Sequence, residues 1–261
     1  MIRTNLDYHG IARRALVVDQ LAQGAYPTYN RDIDVSAVVV ASNGSGPESR
    51  VYGEVITVPT FELFSNPTVR MAEVRRKRFN IIDRAVQKAR QEIMAQEDMN
   101  VFNAFDVAGT VENTAQDITD AGMLKRDLVL LKKQVDRWDL ITSKFFMHIN
   151  EFTDMLLWSS SGPSNGDLDP VSQRELLQTG IQSRLWGADI FVSKLVPAGT
   201  VYAVADPEFV GVMPIRSDIE VLPADEPKRL SLGWVVTEEI GICLPVPRSI
   251  AVARKSTLPG V

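Results

Sequence analysis

Residues able to carry acid–base or nucleophilic chemistry are scarce in this chain. Its 261 residues include two histidines, His9 and His148, and one cysteine, Cys243. A Ser-His-Asp arrangement would have to use one of these histidines, and a zinc site needs Cys/His pairs at a spacing that the sequence lacks. His148 lies in an alternating run typical of a half-buried strand, which indicates a structural histidine. Cys243 lies in an apolar run without a neighbouring cation, which favours a buried, unreactive thiol.

Two glycine-containing segments are candidates for ligand loops. Residues 43–49, Asn-Gly-Ser-Gly-Pro-Glu-Ser, lack the Gly-Lys-Ser/Thr ending of a phosphate-binding loop and lead into a predicted strand. Residues 160–170 contain Asp167 and Asp169 but lack the carboxylate spacing and final Glu of a calcium loop. We interpret both segments as surface turns. A small metal-dependent hydrolase using Asp167 and Asp169 stays open as an alternative, but we expect no catalytic residue, no cofactor and no metal.

The composition is that of a globular protein. Hydrophobic residues make up 45% of the chain and charged residues 23%, which is enough apolar material for a sizeable core and excludes a largely disordered chain. The net charge of −5 argues against a dedicated nucleic-acid reader but leaves room for a local basic face. No apolar stretch approaches the roughly 18 residues of a membrane span, so we expect no membrane partner.

The first 62 residues predict two parts with little core of their own. Apolar spacing predicts a helix over residues 10–23, and the chain after it looks extended, so this region has the character of an arm. Alternating residues then predict strands over 33–42 and 50–60, with the glycine-containing turn between them. Because an isolated two-stranded ribbon is marginally stable in water, we expect this hairpin to lie on a neighbouring molecule.

A long helix is predicted after the hairpin. Ser-Asn-Pro-Thr at residues 65–68 is typical of a helix start, and neither proline nor glycine occurs from Thr68 to about Phe105. Such a helix would be about 55 Å long. Its first half is basic, which leaves two interpretations open: a solvated face, or a face turned toward a polyanion or an acidic neighbouring subunit.

The rest of the chain mixes helices and strands without regular βαβ alternation, which predicts the α+β class. We expect helices over residues 117–136, 150–158 and 173–185. Strands are predicted over residues 144–149, 189–193, 200–204, 211–215, 219–222, 230–244 and 250–254.

This order of elements resembles the major capsid proteins of tailed bacteriophages with the Hong Kong 97 fold. The most telling stretches are residues 58–68, 186–190, 237–242 and 247–252, and the resemblance covers nearly the whole chain. It implies an α+β Hong Kong 97-type capsid fold with a peripheral and an axial domain. The implied parts are an N-terminal arm (1–30), an extended β-hairpin loop (31–62), a peripheral domain with a spine helix (63–115), an axial domain (116–214), return strands of the peripheral domain (215–245) and a C-terminal axial strand (246–261).

The resemblance also implies a function. The chain would self-assemble into the icosahedral head shell of a double-stranded DNA phage, located in the virion and assembled in the host cytoplasm. Implied partners are further copies in hexamers and pentamers, portal, scaffolding and decoration proteins, and packaged DNA through non-specific contacts. Scaffolding would be a separate protein, or the chain a processed form. An encapsulin-type bacterial nanocompartment shell shares the fold and is the nearest alternative, although the basic helix favours the virus.

Residue roles follow from the same resemblance. Inter-subunit contact candidates are Asn43, Gly44, Arg50, Tyr52, Glu238 and Glu239. Genome-facing candidates are Arg75, Arg76, Lys77, Arg78 and Arg84. Some family members join subunits by a Lys–Asn bond, but no lysine precedes Lys77, so the hairpin offers no nucleophile. The paired glutamates do not predict a catalytic dyad, because adjacent strand residues point to opposite faces. We therefore expect noncovalent contacts only.

Overall fold

The computed structural model describes residues 8–22, 24–31, 53–76, 81–118, 122–156, 158 and 182–255. Within these ranges the chain forms two mixed sheets, a short two-stranded ribbon and five α-helices, so the predicted α+β class is confirmed. No helix in this part of the chain combines the length and the apolar character needed to cross a lipid bilayer.

The first sheet joins the start of the chain to its C-terminal third. β1 (Val17–Gln20) pairs parallel with β11 (Val212–Pro223), and β11 pairs antiparallel with β12 (Ser231–Ile240). The far side of β12 pairs antiparallel with β4 (Phe61–Ser65) and with β5 (Thr68–Arg70). The two strands predicted over 211–215 and 219–222 are therefore one twelve-residue strand, which belongs to this sheet from its first residue.

The N-terminal segment differs from the prediction. Residues 10–23 do not form an α-helix, because a 3₁₀ turn at Ala12–Arg14 leads directly into β1. Backbone pairing with β11 and the burial of small side chains against the long helix override the helical spacing of the apolar residues. The fully or almost fully buried residues here are Ala12, Ala15 and Leu16. The expectation of an arm without its own core is thus wrong for residues 12–16, which contribute Ala12, Ala15 and Leu16 to the core of their own chain, while residues 17–20 are paired into the first sheet.

The predicted long helix begins later than expected. Pro67 lies in the turn between β4 and β5, and its carbonyl accepts a hydrogen bond from the Trp234 backbone at 3.1 Å, so sheet pairing overrides the local helix-start signal. A short helix, α1 (Met71–Arg76), follows directly on β5. The main helix, α2 (Ile81–Ala108), is 28 residues and about 42 Å long. It ends at Gly109, as predicted.

The second sheet contains six strands. Their order across the sheet is β6 (Gln116–Ile118), β13 (Ile250–Lys255), β10 (Thr200–Ala205), β7 (Thr142–Met147), β9 (Ala188–Val192) and β8 (Gln182–Leu185). All six residues of β10 are buried, since it lies in the interior of the sheet. Trp186 and Gly187, with φ of 50° and 84°, form the two-residue turn between β8 and β9.

Three helices accompany this sheet: α3 (Lys125–Asp136), α4 (Ile149–Leu156) and α5 (Pro207–Val210). α3 buries Leu128, Leu131 and Val135 as its amphipathic stripe predicts, but its predicted start at Asp117 is wrong because residues 116–118 pair with β13. The helix expected over 173–185 is wrong at residues 182–185, which form β8. The rest of that prediction lies outside the described residues.

α2 connects the two sheets. It contacts β4 and β12 of the first sheet and β13 of the second, and Phe102 and Phe105 near its C-terminal end enter the aromatic core of the second sheet. Phe102 stacks on Tyr202 with the ring centroids 6.0 Å apart, and Phe105 meets the same tyrosine edge-on. These buried rings make one continuous core from the two sheets and the helix.

A separate ribbon projects from this body. β2 (Thr28–Asn30) pairs antiparallel with β3 (Val55–Thr57), so the hairpin starts three residues before the predicted segment of 31–62. Residues 61 and 62, the last two of the predicted segment, instead belong to β4 and pair with β12. Most of the hairpin, residues 32–52, lies outside the described residues.

Candidate functional site

The residues with catalytic potential do not come together. His148 Nδ1 accepts a hydrogen bond from the Asn150 backbone at 3.2 Å, and its nearest carboxylate is Glu151 at 3.7 Å. Cys243 is buried, and burial raises the pKa of its thiol, which disfavours the nucleophilic thiolate. Among the described residues, no three His, Cys, Asp or Glu side chains are grouped to hold a metal ion. Asp167 and Asp169 lie outside this part of the chain.

The main charged cluster instead joins the N-terminal segment to the first sheet and α2. The Arg13 guanidinium donates to Glu97 of α2 through Nε at 2.8 Å and to Asp218 of β11 through Nη2 at 3.1 Å. The same Nη2 also donates to Glu238 of β12. One cation thus contacts three elements, each more than eighty residues away from it in sequence.

A second carboxylate holds the backbone of the same segment. Asp98, next to Glu97 on α2, accepts hydrogen bonds from the backbone N–H groups of Ile11 and Ala12, both at 2.9 Å. The Tyr8 hydroxyl donates to the same carboxylate. Asp98 therefore satisfies donors that the 3₁₀ turn leaves free, and it fixes where the chain enters β1.

The electrostatics of the cluster favour a bound proton near neutral pH. Glu238 is fully buried and its Oε2 has no hydrogen-bond partner in the structure. Burial, and next the negative charge of Glu97, raise the pKa of Glu238 to about 7, although Arg13 opposes them. Burial also raises the pKa of Glu97 and of Asp98. A single guanidinium is too little charge to keep all of these buried carboxyls ionised.

The two adjacent glutamates have different surroundings, as strand geometry predicts. Glu239 is partly exposed on the opposite face of β12, where Thr60 Oγ1 donates to it at 2.6 Å and Arg216 lies at 3.5 Å. Glu238 is inside its own chain. The inter-subunit contact predicted for Glu238 is therefore wrong, because a side chain with no exposed surface cannot reach another molecule.

Sequence reasoning missed the partners Arg13, Glu97 and Asp98. A signal for Glu97 does exist, because it continues the buried stripe of α2 at intervals of four residues, between Ile93 and Val101. An acidic residue on such a stripe requires a cation or a hydrogen-bond donor from elsewhere. No local pattern identifies Arg13 as that cation, since it lies 84 residues away.

The predicted contact residues of the hairpin, Asn43, Gly44, Arg50 and Tyr52, lie outside the described residues. The base of the ribbon is held to the body by Tyr29, whose hydroxyl donates to Asp19 of β1 at 2.7 Å. Beyond this bond, Arg31 pairs with Glu54 across the ribbon at 3.3 Å, with both side chains exposed. The described part of the hairpin therefore has one firm attachment to its own chain.

The predicted genome-facing residues lie partly on α1, partly on α2 and partly in residues 77–80 between them, which are outside the described part of the chain. Arg75 and Arg76 are exposed on α1, and Arg84 is half-buried in the first turn of α2. Lys77 and Arg78 lie outside the described residues.

Comparison with known proteins places the fold. No family model matches the sequence, and no curated protein matches it significantly. Among solved structures, one from Mycobacterium phage Bobi matches with a TM-score of 0.75 and 13% identity, covering 97% of this chain and 92% of that one. The capsid structure of the cyanophage P-SCSP1u matches with a TM-score of 0.71 and 10% identity, covering 98% and 91%. A virus-like particle from Pyrococcus furiosus matches with a TM-score of 0.61 and 14% identity, covering 94% and 92%.

These matches extend over nearly the full length of both partners, so they include both sheets, the connecting helix and the N-terminal segment. Eight of the similar structures have sequence identities of 9–14% with this chain. The similarity is therefore one of fold and not of individual residues. The two sheets, the long helix between them and the projecting ribbon therefore have the Hong Kong 97-type fold of tailed-phage capsid proteins.

Proposed function

We propose that the chain is the major capsid protein of a tailed double-stranded DNA bacteriophage and self-assembles into its icosahedral head shell. The observation that carries the proposal is the match to phage structures over 97–98% of the chain, with TM-scores of 0.75 and 0.71.

The parts of the fold fit this role. In the proposal, the first sheet with α2 forms the peripheral domain, and the second sheet forms the axial domain at the centre of hexamers and pentamers. The ribbon based on β2 and β3 is the extended loop. It would lie across an adjacent subunit through the hairpin residues Asn43, Gly44, Arg50 and Tyr52, and Glu239 is the remaining contact candidate on the outer face of β12.

The proposed partners follow from the same role. The shell would meet portal and scaffolding proteins, with or without decoration proteins, and would locate in the virion after assembly in the host cytoplasm. Packaged DNA would be contacted without base recognition by Arg76, Lys77, Arg78 and Arg84, because cationic side chains bind phosphates irrespective of sequence. Arg75 instead lines a cleft with two other arginines.

Assembly of the purified protein tests the proposal. We expect size-exclusion chromatography with light scattering to show pentamers, hexamers or larger particles, and negative-stain microscopy to show hollow shells. A chain that stays a folded monomer across protein concentration, salt and pH, with and without crowding agents, would contradict a shell function.

An encapsulin-type shell is the second candidate, supported by the likeness to the Pyrococcus furiosus virus-like particle. Such a compartment would hold cargo enzymes rather than a genome. Particles isolated from the native source separate the two functions: nuclease-protected double-stranded DNA of genome length identifies the phage head, whereas enclosed protein without DNA identifies the compartment.

A further inference from the structure

A basic cleft lies at the end of the first sheet that is far from the second sheet. It is bounded on one side by β5 and α1 and on the other by the turn between β11 and β12, and its volume is about 830 Å³. The two sides are joined by backbone pairing of Arg70 with Ser231 and by a hydrogen bond from the Met71 N–H to the Leu230 carbonyl at 3.0 Å. The cleft is therefore a formed feature of the sheet and not a gap between independent loops.

The charge of the cleft is unbalanced. Arg70, Arg75 and Arg229 line it, against one carboxylate, Glu226. Glu226 pairs with Arg229 at 3.3 Å, and because both side chains are largely exposed this pair contributes little. Among the described residues no carboxylate pairs with Arg70 or Arg75. Two guanidinium groups thus face one cleft without a counter-charge, in a chain whose net charge is −5.

The rim of the cleft is apolar. Leu230 is 67% exposed and Met71 is 39% exposed. Leu230 also has a φ of 50°, in the left-handed region that a leucine rarely occupies and that glycine occupies freely. The fold thus keeps an exposed leucine at a position where glycine would be more stable, a pattern that accompanies binding surfaces.

These two features together indicate the kind of partner. Guanidinium groups bind carboxylates and phosphates equally well, but a phosphate backbone offers nothing to cover an exposed leucine and methionine. A protein segment that carries carboxylates beside apolar side chains satisfies both parts of the cleft. Since three arginines line this one cleft while carboxylates outnumber cations in the chain as a whole, the acidic surface of a second copy supplies that complement.

We propose that this arginine cleft is a contact site between copies of the chain, in which Arg70, Arg75 and Leu230 of one copy receive an acidic surface segment of another. The inference rests on the proposed shell function and names one of its interfaces. The contact joins two different surfaces, so it can repeat from copy to copy and forms a closed ring where the rotation between copies closes. It also gives Arg75 a protein partner in place of the genome.

Two kinds of variant test the contact. Arg70→Glu and Arg75→Glu reverse the charge in the cleft, and Lys194→Glu makes the same charge change at an exposed lysine in the turn that follows β9. Leu230→Gly removes the rim side chain at a backbone position that favours glycine, so the isolated subunit keeps or gains thermal stability. We expect each cleft variant to lower the particle yield at fixed protein concentration at least tenfold, while Lys194→Glu assembles like the wild type.

The outcomes are distinct. Normal assembly of the two arginine variants would overturn the contact while leaving the shell function intact, and loss of assembly with Lys194→Glu as well would also overturn it, as a general charge effect. If the arginine variants form normal shells that retain less DNA, the cleft belongs to nucleic acid and the proposal fails. A wild-type chain that forms no particles would instead refute the proposed function, and this contact with it.

Discussion

Arg13 neutralises carboxylates that come from three separate parts of the chain. Its side chain is 32% exposed, while the side chains of Glu97 and Glu238 are 2% and 0% exposed. A buried ion cluster contributes little net stability when it is complete, because desolvation offsets the attraction. Removing its one cation is different, since it leaves buried carboxyls without compensation. The cluster therefore makes the position of the N-terminal segment obligatory.

The first prediction concerns this cation. Arg13→Met keeps the length of the side chain but removes the charge, and we expect it to lower the free energy of unfolding by about 3 kcal/mol at pH 7. Urea denaturation followed by circular dichroism measures this change. Arg14→Met is the matched control, because Arg14 is exposed and its guanidinium stacks over the Phe191 ring at 5.3 Å, a contact of about 1 kcal/mol. Equal losses of unfolding free energy in the two variants would show that Arg13 stabilises the fold no more than an exposed arginine does.

The second prediction concerns pH. The pKa of Glu238 in the folded protein is about 7, raised by burial above its ordinary value of 4.5. The folded state thus binds more protons than the unfolded state between these values, so stability is greatest below pH 4.5 on account of this group and falls as pH rises toward 7. One proton corresponds to a slope of about 1.4 kcal/mol per pH unit. The raised pKa values of Glu97 and Asp98 act in the same direction as that of Glu238, whereas the lowered pKa values of Asp136 and Asp218 act at more acidic pH.

Glu238→Gln tests that assignment, because an amide imitates the protonated carboxyl at every pH. We expect its unfolding free energy, measured by urea titration at half-unit steps from pH 4.5 to 7.5, to vary much less with pH than that of the wild type. Glu239→Gln, on the exposed face of the same strand, should leave the slope unchanged. A wild-type slope of the opposite sign would contradict the raised pKa.

At the scale of single elements, the sequence predicts well wherever one pattern dominates. The strands 200–204 and 250–254 agree with β10 and β13 within one residue, because each is a short run of apolar residues bounded by turns. The prediction fails where pairing with a strand that is distant in sequence determines the local structure. Residues 65–68 carry a good helix-start signal, yet β12 offers them a sheet edge, and its pairing outweighs a local cap of about 1 kcal/mol. Likewise, residues 17–20 form a strand because they pair with β11.

The third prediction concerns the ribbon. Replacing residues 43–49 by Asn-Gly shortens the hairpin and keeps its turn chemistry. The base of the ribbon is held by the pairing of β2 with β3 and by the hydrogen bond between Tyr29 and Asp19. We therefore expect the free energy of unfolding of the unassembled subunit to change by less than about 1 kcal/mol. Particle yield and the resistance of the shells to urea should both fall. Unchanged yield and resistance would mean that the hairpin tip makes no contact with a neighbour.

At the scale of the whole molecule, α2 connects the two sheets, because one helix packs against strands of both. Its N-terminal half buries Ala89 and Ile93 under the first sheet, and its C-terminal half buries Phe102 and Phe105 in the second. The sequence shows the apolar stripe, but not that its two halves serve different sheets, because that division depends on pairings 100 residues further along the chain. The same holds for the cluster around Arg13, whose members no local pattern connects.

The last prediction separates what the subunit does alone from what it does in a shell. The backbone of residues 11–20 is hydrogen-bonded within its own chain, since Asp98 accepts from the backbone N–H groups of Ile11 and Ala12 and β1 pairs with β11. We therefore expect their amides to exchange slowly with deuterium both before and after assembly. Amides of residues 43–49 should instead gain protection only in shells, because the proposed partner of the hairpin is another subunit. Mass spectrometry of peptides from both states measures this directly, and residues 200–205, buried in β10, serve as the unchanging reference.

Protection of residues 11–20 that appears only on assembly would mean that the N-terminal segment is an exchangeable arm after all. Protection of residues 43–49 that is already complete in the subunit would mean that the hairpin packs on its own body, and the chain would then lack the unpaired surface on which shell formation depends.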